Sequence, residues 1–460
     1  MSDASFPPGP RGIRDVVTTF RAFVSNPPVQ MLGFRAKWGS TMGFHVGVRN
    51  VVFLGDPALI GEVLLDKEGV WIKDRVTRGL SVFLGNGLLT SEGDFWRKQR
   101  KLIAPRLTKK HIASYASAMV KCAEAYADTL AEGAVGDVHV AMTRVTLEIV
   151  TETLFGSALG SGHEVIGGAM DEIMQNFEQV AHTWRQLFPN WVPFAARRRS
   201  MRTAKTIDRA VFEVIKKKRS QKERGDDLLS RMLEAQDDQG GHMTDLQLRD
   251  EAVTMFVAGH ETTANALAFA LMLLGDHPDI DARAHREITE VLRGRAATAE
   301  DVGAFPLLEA IVKETMRLYP PAHIIGREAT RDLQLGNWLV PKGASVLMSP
   351  WALHHEPEFW PDPHAFRPDR WLDGSAEKVP KNAYLPFGGG PRICIGNHFA
   401  MMELILTLAT LLPRARFERA STVGVELQPA ITLRPRHGIP MRVSLRKNRS
   451  IQGPLTSTPA

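Results

Sequence analysis

Apolar residues recur three and four positions apart along most of this chain. That spacing predicts helices over residues 57–66, 92–103, 109–131, 137–156, 163–184, 197–222, 278–293, 306–318 and 396–412, with a shorter helical patch over 226–235. Alternation takes over in three places. Gly43 to Val48 and Val51 to Leu54 predict a hairpin within 40–55 that turns at Arg49-Asn50. Short strands are expected near 333–349, and a strand pair near 431–445. Prolines punctuate 354–392, which reads as irregular chain. One helix stands apart. Thr244 with Gln247 three residues on forms a capping box, and the helical pattern then runs to Gly275, where His277-Pro278 forbids continuation. About 30 residues at 1.5 Å each make ~45 Å, enough to cross a whole domain. A helix spanning the chain midpoint joins its two halves. The fold class expected is therefore one large, mainly α domain with a small β region over residues 13–446, preceded by a flexible N-terminus (1–12) and followed by a loose tail (447–460).

Composition narrows the class. The 460 residues are 44% hydrophobic and 23% charged, ordinary for a globular chain able to bury a large core and a cofactor. The net charge of +6, from 57 basic against 51 acidic residues, is too mild to argue for nucleic acid. Two cysteines, Cys122 and Cys394, exclude a disulfide framework and suit a reducing compartment. Cys122 lies in a helical stretch and reads as inert packing. No run of ~18 apolar residues exists; 264–274 contains Asn265 and 399–412 contains Glu403, so both read as buried helices. The N-terminus has no basic start followed by an apolar run, so no signal peptide is expected. These features predict a soluble, cytoplasmic protein without an integral membrane anchor.

The long helix carries a contradiction in its middle. Ala258-Gly259-His260-Glu261-Thr262-Thr263 places a glycine and two β-branched residues, all poor helix formers, between apolar flanks. One reading is a kink, with Thr262 or Thr263 bonding back to a carbonyl one turn earlier. The other is a deliberate gap: Gly259 admits a cofactor or small ligand, and Glu261 and Thr262 relay protons to it. A second irregularity precedes the helix at 396–412. Gly388, Gly389 and Gly390 let the backbone bend tightly and approach a flat partner, and Cys394 follows near a helix N-terminus, where free amides favour a thiolate. One cysteine without a C-x-x-C partner disfavours zinc and iron–sulfur sites. It suggests a haem axial ligand, with Arg392 near an acidic group of the cofactor; a plain glycine turn before a helix with a buried cysteine fits the same string.

Phe387, Gly390, Arg392, Cys394 and Gly396 resemble the F-x-x-G-x-R-x-C-x-G haem signature of the cytochrome P450 family. Four further segments resemble that family's motifs in its order. Trp96 and Arg100 match W-x-x-x-R, 258–263 matches the oxygen-activation motif, Glu314 and Arg317 match E-x-x-R, and 366–371 matches the segment whose arginine, here Arg370, completes that pair. The resemblance spans about 38–445 and implies a soluble, bacterial-type haem-thiolate monooxygenase. It implies haem b (iron protoporphyrin IX) on Cys394, and Trp96, Arg100, Arg327, Phe387, Arg392, Gly396 and Gly259 around the cofactor. Glu261 and Thr262 become the pair that passes protons to O2, and Glu314, Arg317 and Arg370 a buried structural triad. A pocket for a hydrophobic substrate is then expected from Phe83, Leu88, Phe256, Val257, Ala258, Thr263, His323, Ile324 and Ile325. Segments 71–89 and 177–194 correspond to the lids over it. His323 either bonds to backbone as a wall residue or orients a polar group of the substrate. The substrate classes that suit such a pocket are fatty acids, terpenoids, steroids and polyketides. Electrons would come from a ferredoxin or flavodoxin with its NAD(P)H reductase, docking at Arg97, Lys98, Lys101, Lys109 and Lys110; the chain itself is expected to be a monomer. A peroxide-dependent hydroxylase, an isomerase and a haem gas-binding protein are the competing functions. His354, His355, Glu356 and His364 look like a metal cluster, but prolines surround them and the loop reading is preferred.

Overall fold

The computed structural model describes residues 5–47, 49–156, 195–221 and 225–446. The helix expected over 163–184, the lid segment 177–194 and the tail 447–460 lie outside the described residues. The capping box forms as the sequence predicts: the Thr244 hydroxyl accepts from the Gln247 N–H, and the Gln247 side chain accepts from the Thr244 N–H. The helix it opens, Asp245–Asp276, is the axis of the molecule. Residues 263–274 are all buried, so this helix is apolar on every side, as a helix surrounded by others must be. Helices Val138–Phe155, Ala195–Ser220, Pro306–Leu318 and Asn397–Leu411 pack around it. Phe269 stacks on Tyr319 at 4.3 Å between ring centres.

The β region is small and lies to one side. Thr41–Val46 pairs antiparallel with Arg49–Leu54, which runs parallel to Ser345–Met348. Ile325–Ala329 and Trp71–Lys73 continue that sheet antiparallel, with Lys73 directly opposite Arg327. Among the described residues no helix is long and apolar enough to cross a membrane.

Several boundaries differ from expectation. The first hairpin turns earlier, because Gly47 takes a positive φ of 59°; Arg49 and Asn50 belong to the second strand, opposite Val46 and His45. The stretch 109–131 breaks into Lys109–Ala113 and Ala116–Ala127 where Ser114 bonds back to the His111 carbonyl. The strands near 431–445 do not pair with each other. Leu433–Pro435 pairs with Leu427–Pro429, and Pro440–Leu445 pairs with Ala415–Arg419 and Val135–Asp137. Helices Ile13–Ser25 and Pro27–Trp38 were not foreseen; Pro27 and Pro28 start the second, where a missing N–H costs nothing. Residues 5–9, expected within a flexible N-terminus, lie on the sheet: Pro8 accepts from the Gly43 N–H at 2.8 Å, and Phe6 fills the space a side chain on Gly43 would need.

Candidate active site

The cysteine loop is built by glycines. Gly388 and Gly390 have φ of 72° and 65°, which only glycine adopts freely. A Cβ on Gly390 would lie 1.9 Å from the Leu64 carbonyl oxygen, so this glycine lets the loop lie against helix Pro57–Leu65. The turn brings the Cys394 N–H to the Phe387 carbonyl at 2.9 Å, and Gly396 donates its amide to the sulfur. Cys394 is an exposed residue, yet lack of solvent around its sulfur is the largest cause pushing the thiol up from the ordinary range. The amide and Arg100 oppose that rise without cancelling it, so the expected thiolate is not secured by the helix terminus alone. A bound metal cation would secure it.

Cations gather beside this sulfur. Arg100 interacts electrostatically with it. The Arg392 guanidinium lies 4.0 Å from the Trp96 ring centre, bonds the Ser91 carbonyl at 2.8 Å and pairs with Glu92. Arg100 also lies over Trp96, at 5.7 Å. Arg327 is buried and bonds the Gly326 carbonyl, with no carboxylate pair among the described residues. Lys73, opposite it across the sheet, was not foreseen; as an isolated lysine on a short strand it carries no motif. Burial, then Arg327 and Arg392, push its ammonium from the ordinary 10.5 down to about 7. Like charges directly opposite each other in a sheet repel. Glu92 and Asp74 offset the repulsion only in part, and Glu92 is already paired with Arg392. A soft sulfur ligand beside surplus buried positive charge is the donor set that fits a haem with its two acidic groups.

The sign of the resulting pH dependence follows directly. Between about pH 7 and 10.5 the unfolded chain holds a proton on Lys73 that the folded protein lacks, so the cofactor-free protein gains stability as pH rises through that window and not below it. Lys73→Met is expected to remove this gain. Denaturant midpoints of both proteins at about pH 6 and about pH 9 check it.

On the central helix one face remains accessible. Ala258 is exposed, and Met255 and Thr262, three before and four after it, are partly exposed on the same face. Met255 was missed, although i, i+3, i+7 spacing marks it. Phe256 and Thr263, expected in the pocket, point elsewhere. Phe256 is buried against Phe155 and His260, and Thr263 bonds the Gly259 carbonyl at 2.9 Å and meets the buried Glu403. Lack of solvent pushes the Glu403 carboxyl well above the usual range. A side chain on Gly259 would meet Val150 at 3.2 Å, so the packing of two helices already calls for a small residue here. Thr262 bonds back to the Ala258 carbonyl at 2.8 Å. Phe83, Leu88 and Val257 are buried in the main core, and Ile324 and Ile325 are partly exposed beside the sheet. His323 is buried and its Nε2 bonds the Ala430 carbonyl at 2.9 Å, which matches the wall-residue alternative.

Glu314, Arg317 and Arg370 meet in a fully buried cluster. Arg317 grips Glu314 with two hydrogen bonds of 2.9 Å, Arg370 Nε adds one at 3.0 Å and Trp371 Nε1 one at 2.9 Å. Arg317 also donates to the carbonyls of His354, Pro363 and Ala365. His354 Nδ1 lies 3.2 Å from the Arg317 carbonyl, and its Nε2 accepts the Leu385 N–H at 2.9 Å, just ahead of the cysteine loop. Burial holds this imidazole neutral. His355 stacks on Trp351 and Glu356 pairs with Arg35, so these residues form no metal group. On the basic face, Lys98 and Lys101 pair with Asp237 and Asp238, and Arg97 with Asp94, exposed pairs of small energy. Lys109 and Lys110 are exposed.

A family model described as Cytochrome P450 matches residues 7–439. Cyclooctatin synthase of Streptomyces melanosporofaciens is 34% identical over 417 residues, covering 89% of this chain and 90% of its own length. Cyclooctat-9-en-7-ol 5-monooxygenase of the same organism is 33% identical over 85% of each chain. A cytokinin hydroxylase of Arabidopsis thaliana is 33% identical over 84% of this chain and 77% of its own.

Proposed function

This chain belongs to the cytochrome P450 family of oxidoreductases, and from that premise we propose that it is a monooxygenase: it activates O2 with two externally supplied electrons and hydroxylates or epoxidises a hydrophobic small molecule. One observation carries the reading. The Cys394 sulfur lies beside Arg100, which belongs to a cluster with Arg392, Arg327 and Lys73 whose positive charge Glu92 and Asp74 offset only in part.

When bound, haem b supplies the redox chemistry of O2 activation. The chain supplies the rest. Cys394 holds the iron as a thiolate, and the Gly396 amide steadies the sulfur. Arg100, Arg327, Arg392 and Lys73 neutralise the cofactor's carboxylates, while Trp96 fills the space beneath two of these side chains. Ala258 and Met255 exclude water from the reacting face and Thr262 presents the hydroxyl there. Glu261 holds a proton-transfer position next to it in sequence. Ile324 and Ile325, partly exposed beside the sheet, favour an apolar substrate, held by position rather than by charge. Among hydrophobic classes we place unsaturated cyclic terpenoid alcohols first, since a relative is named for cyclooctat-9-en-7-ol. Lys109 and Lys110, with Arg97, Lys98 and Lys101, offer a basic face to an acidic ferredoxin or flavodoxin, which passes electrons from an NAD(P)H reductase. We place the protein, as a monomer, in the cytoplasm.

The test is product formation from such alcohols with NADPH and a surrogate ferredoxin and reductase, against peroxide alone. Substrates are first sorted by the haem spin-state shift. NADPH-dependent product supports the reading; product with peroxide only overturns it. Thr262→Ala is expected to retain haem and to divert most reducing equivalents into hydrogen peroxide, a loss on the order of tenfold or more in coupling. Unchanged coupling, measured as product per NADPH, removes Thr262 from the proton path.

A further inference from the structure

The Glu261 carboxylate is held on the side of the helix facing the Leu427–Pro429 and Leu433–Pro435 hairpin. Its Oε1 accepts the Thr432 hydroxyl at 2.6 Å. Thr432 Oγ1 in turn accepts the Asn265 Nδ2 amide at 3.2 Å, and Asn265 Oδ1 lies 2.8 Å from His139 Nε2. Arg434 stands 3.9 Å from the same Glu261 oxygen. A carboxylate only accepts and a hydroxyl has one proton, so every donor in the row points towards Glu261. Asn265 is fully buried and sits one helical turn beyond Glu261, while Thr432 comes from a turn 171 residues away in the chain. That turn is itself tied down: Ala430 accepts from His323, and the Leu433 N–H bonds the Pro321 carbonyl at 2.9 Å.

Meanwhile the Thr262 hydroxyl is committed to the Ala258 carbonyl. The two groups of the acid–alcohol pair are therefore each bonded elsewhere, Thr262 to the Ala258 carbonyl and Glu261 through Oε1 to Thr432. We propose that Thr432 is a positioning residue: with Asn265 and His139 it latches Glu261 in a resting position, and release of that latch times proton delivery. The 321–323 segment, fixed to the same hairpin, couples the pocket wall to the latch. This inference rests on the proton role given to Glu261 above.

The experiment compares Thr432→Val, which removes the hydroxyl at nearly constant volume, with Thr432→Ser, which keeps it, each with and without Glu261→Gln. Two quantities are read in the haem-loaded protein: the infrared stretch of carbon monoxide bound to the reduced form, and the ratio of peroxide to product. Thr432→Val is expected to shift the stretch and raise the ratio about tenfold, the factor carried by one hydrogen bond to a charged group. Thr432→Ser restores both, and in the Glu261→Gln background Thr432→Val adds nothing. No shift in Thr432→Val overturns the latch, as does an equal effect in the Glu261→Gln background, which would mark general loosening. If Glu261→Gln alone leaves both readouts at wild type, the proton role of Glu261 falls. A normal carbon monoxide band certifies folding; where Thr432→Val lacks it, Thr432→Ala is read instead.

Discussion

Serine in place of Cys394 is expected to abolish the red-shifted carbon monoxide band of the reduced protein while leaving the fold intact. The two parts of this expectation have separate causes. The loop is held by backbone: the Cys394 N–H bonds the Phe387 carbonyl, Gly388 and Gly390 take left-handed conformations, and Gly390 lies against Leu64. None of these needs the sulfur. The spectral property does, because a hydroxyl is a harder donor than a thiol and far harder to ionise. Burial already opposes the anion at this position, and serine would face the same penalty from a weaker acid. Circular dichroism and the denaturant midpoint should stay close to wild type. Retention of the red-shifted band would overturn the ligand assignment.

Glu314→Ala is expected to have the largest effect on stability. The carboxylate is fully buried and accepts from Arg317 twice, Arg370, Trp371 and the Arg367 N–H. Removing it strands the guanidiniums of Arg317 and Arg370 where no water reaches them. Breaking a buried pair in this way costs about 3–5 kcal/mol. Total stabilities are only about 5–15 kcal/mol, so little folded protein is expected at 37 °C. Damage should reach the haem site through His354, which joins the Arg317 carbonyl to Leu385 ahead of the cysteine loop. Denaturant unfolding, with haem release followed in parallel, checks both; a loss under about 1 kcal/mol would mean the cluster is not structural.

The long helix, its cap and its stop at His277-Pro278 were legible because capping, proline and helical period act between residues a few positions apart. The cysteine loop and the E-x-x-R pair were legible for the same reason. Misreadings arose where one local signal serves two purposes. Glycines at 259 and 390 signal close approach, and each also meets a neighbouring helix that the local string does not name. Phe256 and Thr263 lie in the motif region, but successive helix positions are turned by about 100°, so these two are buried while Met255, Ala258 and Thr262 share an accessible face.

Residue order thus settles which chemistry is available: one suitable sulfur and one acid–alcohol pair in a buried helix. Which charges and hydrogen bonds meet is settled by packing alone. Lys73 faces Arg327 through sheet register, Glu92 reaches Arg392 across 300 residues, and Thr432 reaches Glu261 from a separate hairpin. Coulomb forces and hydrogen bonds depend on distance in space, and a linear chain does not encode that distance until its apolar surfaces have collapsed together.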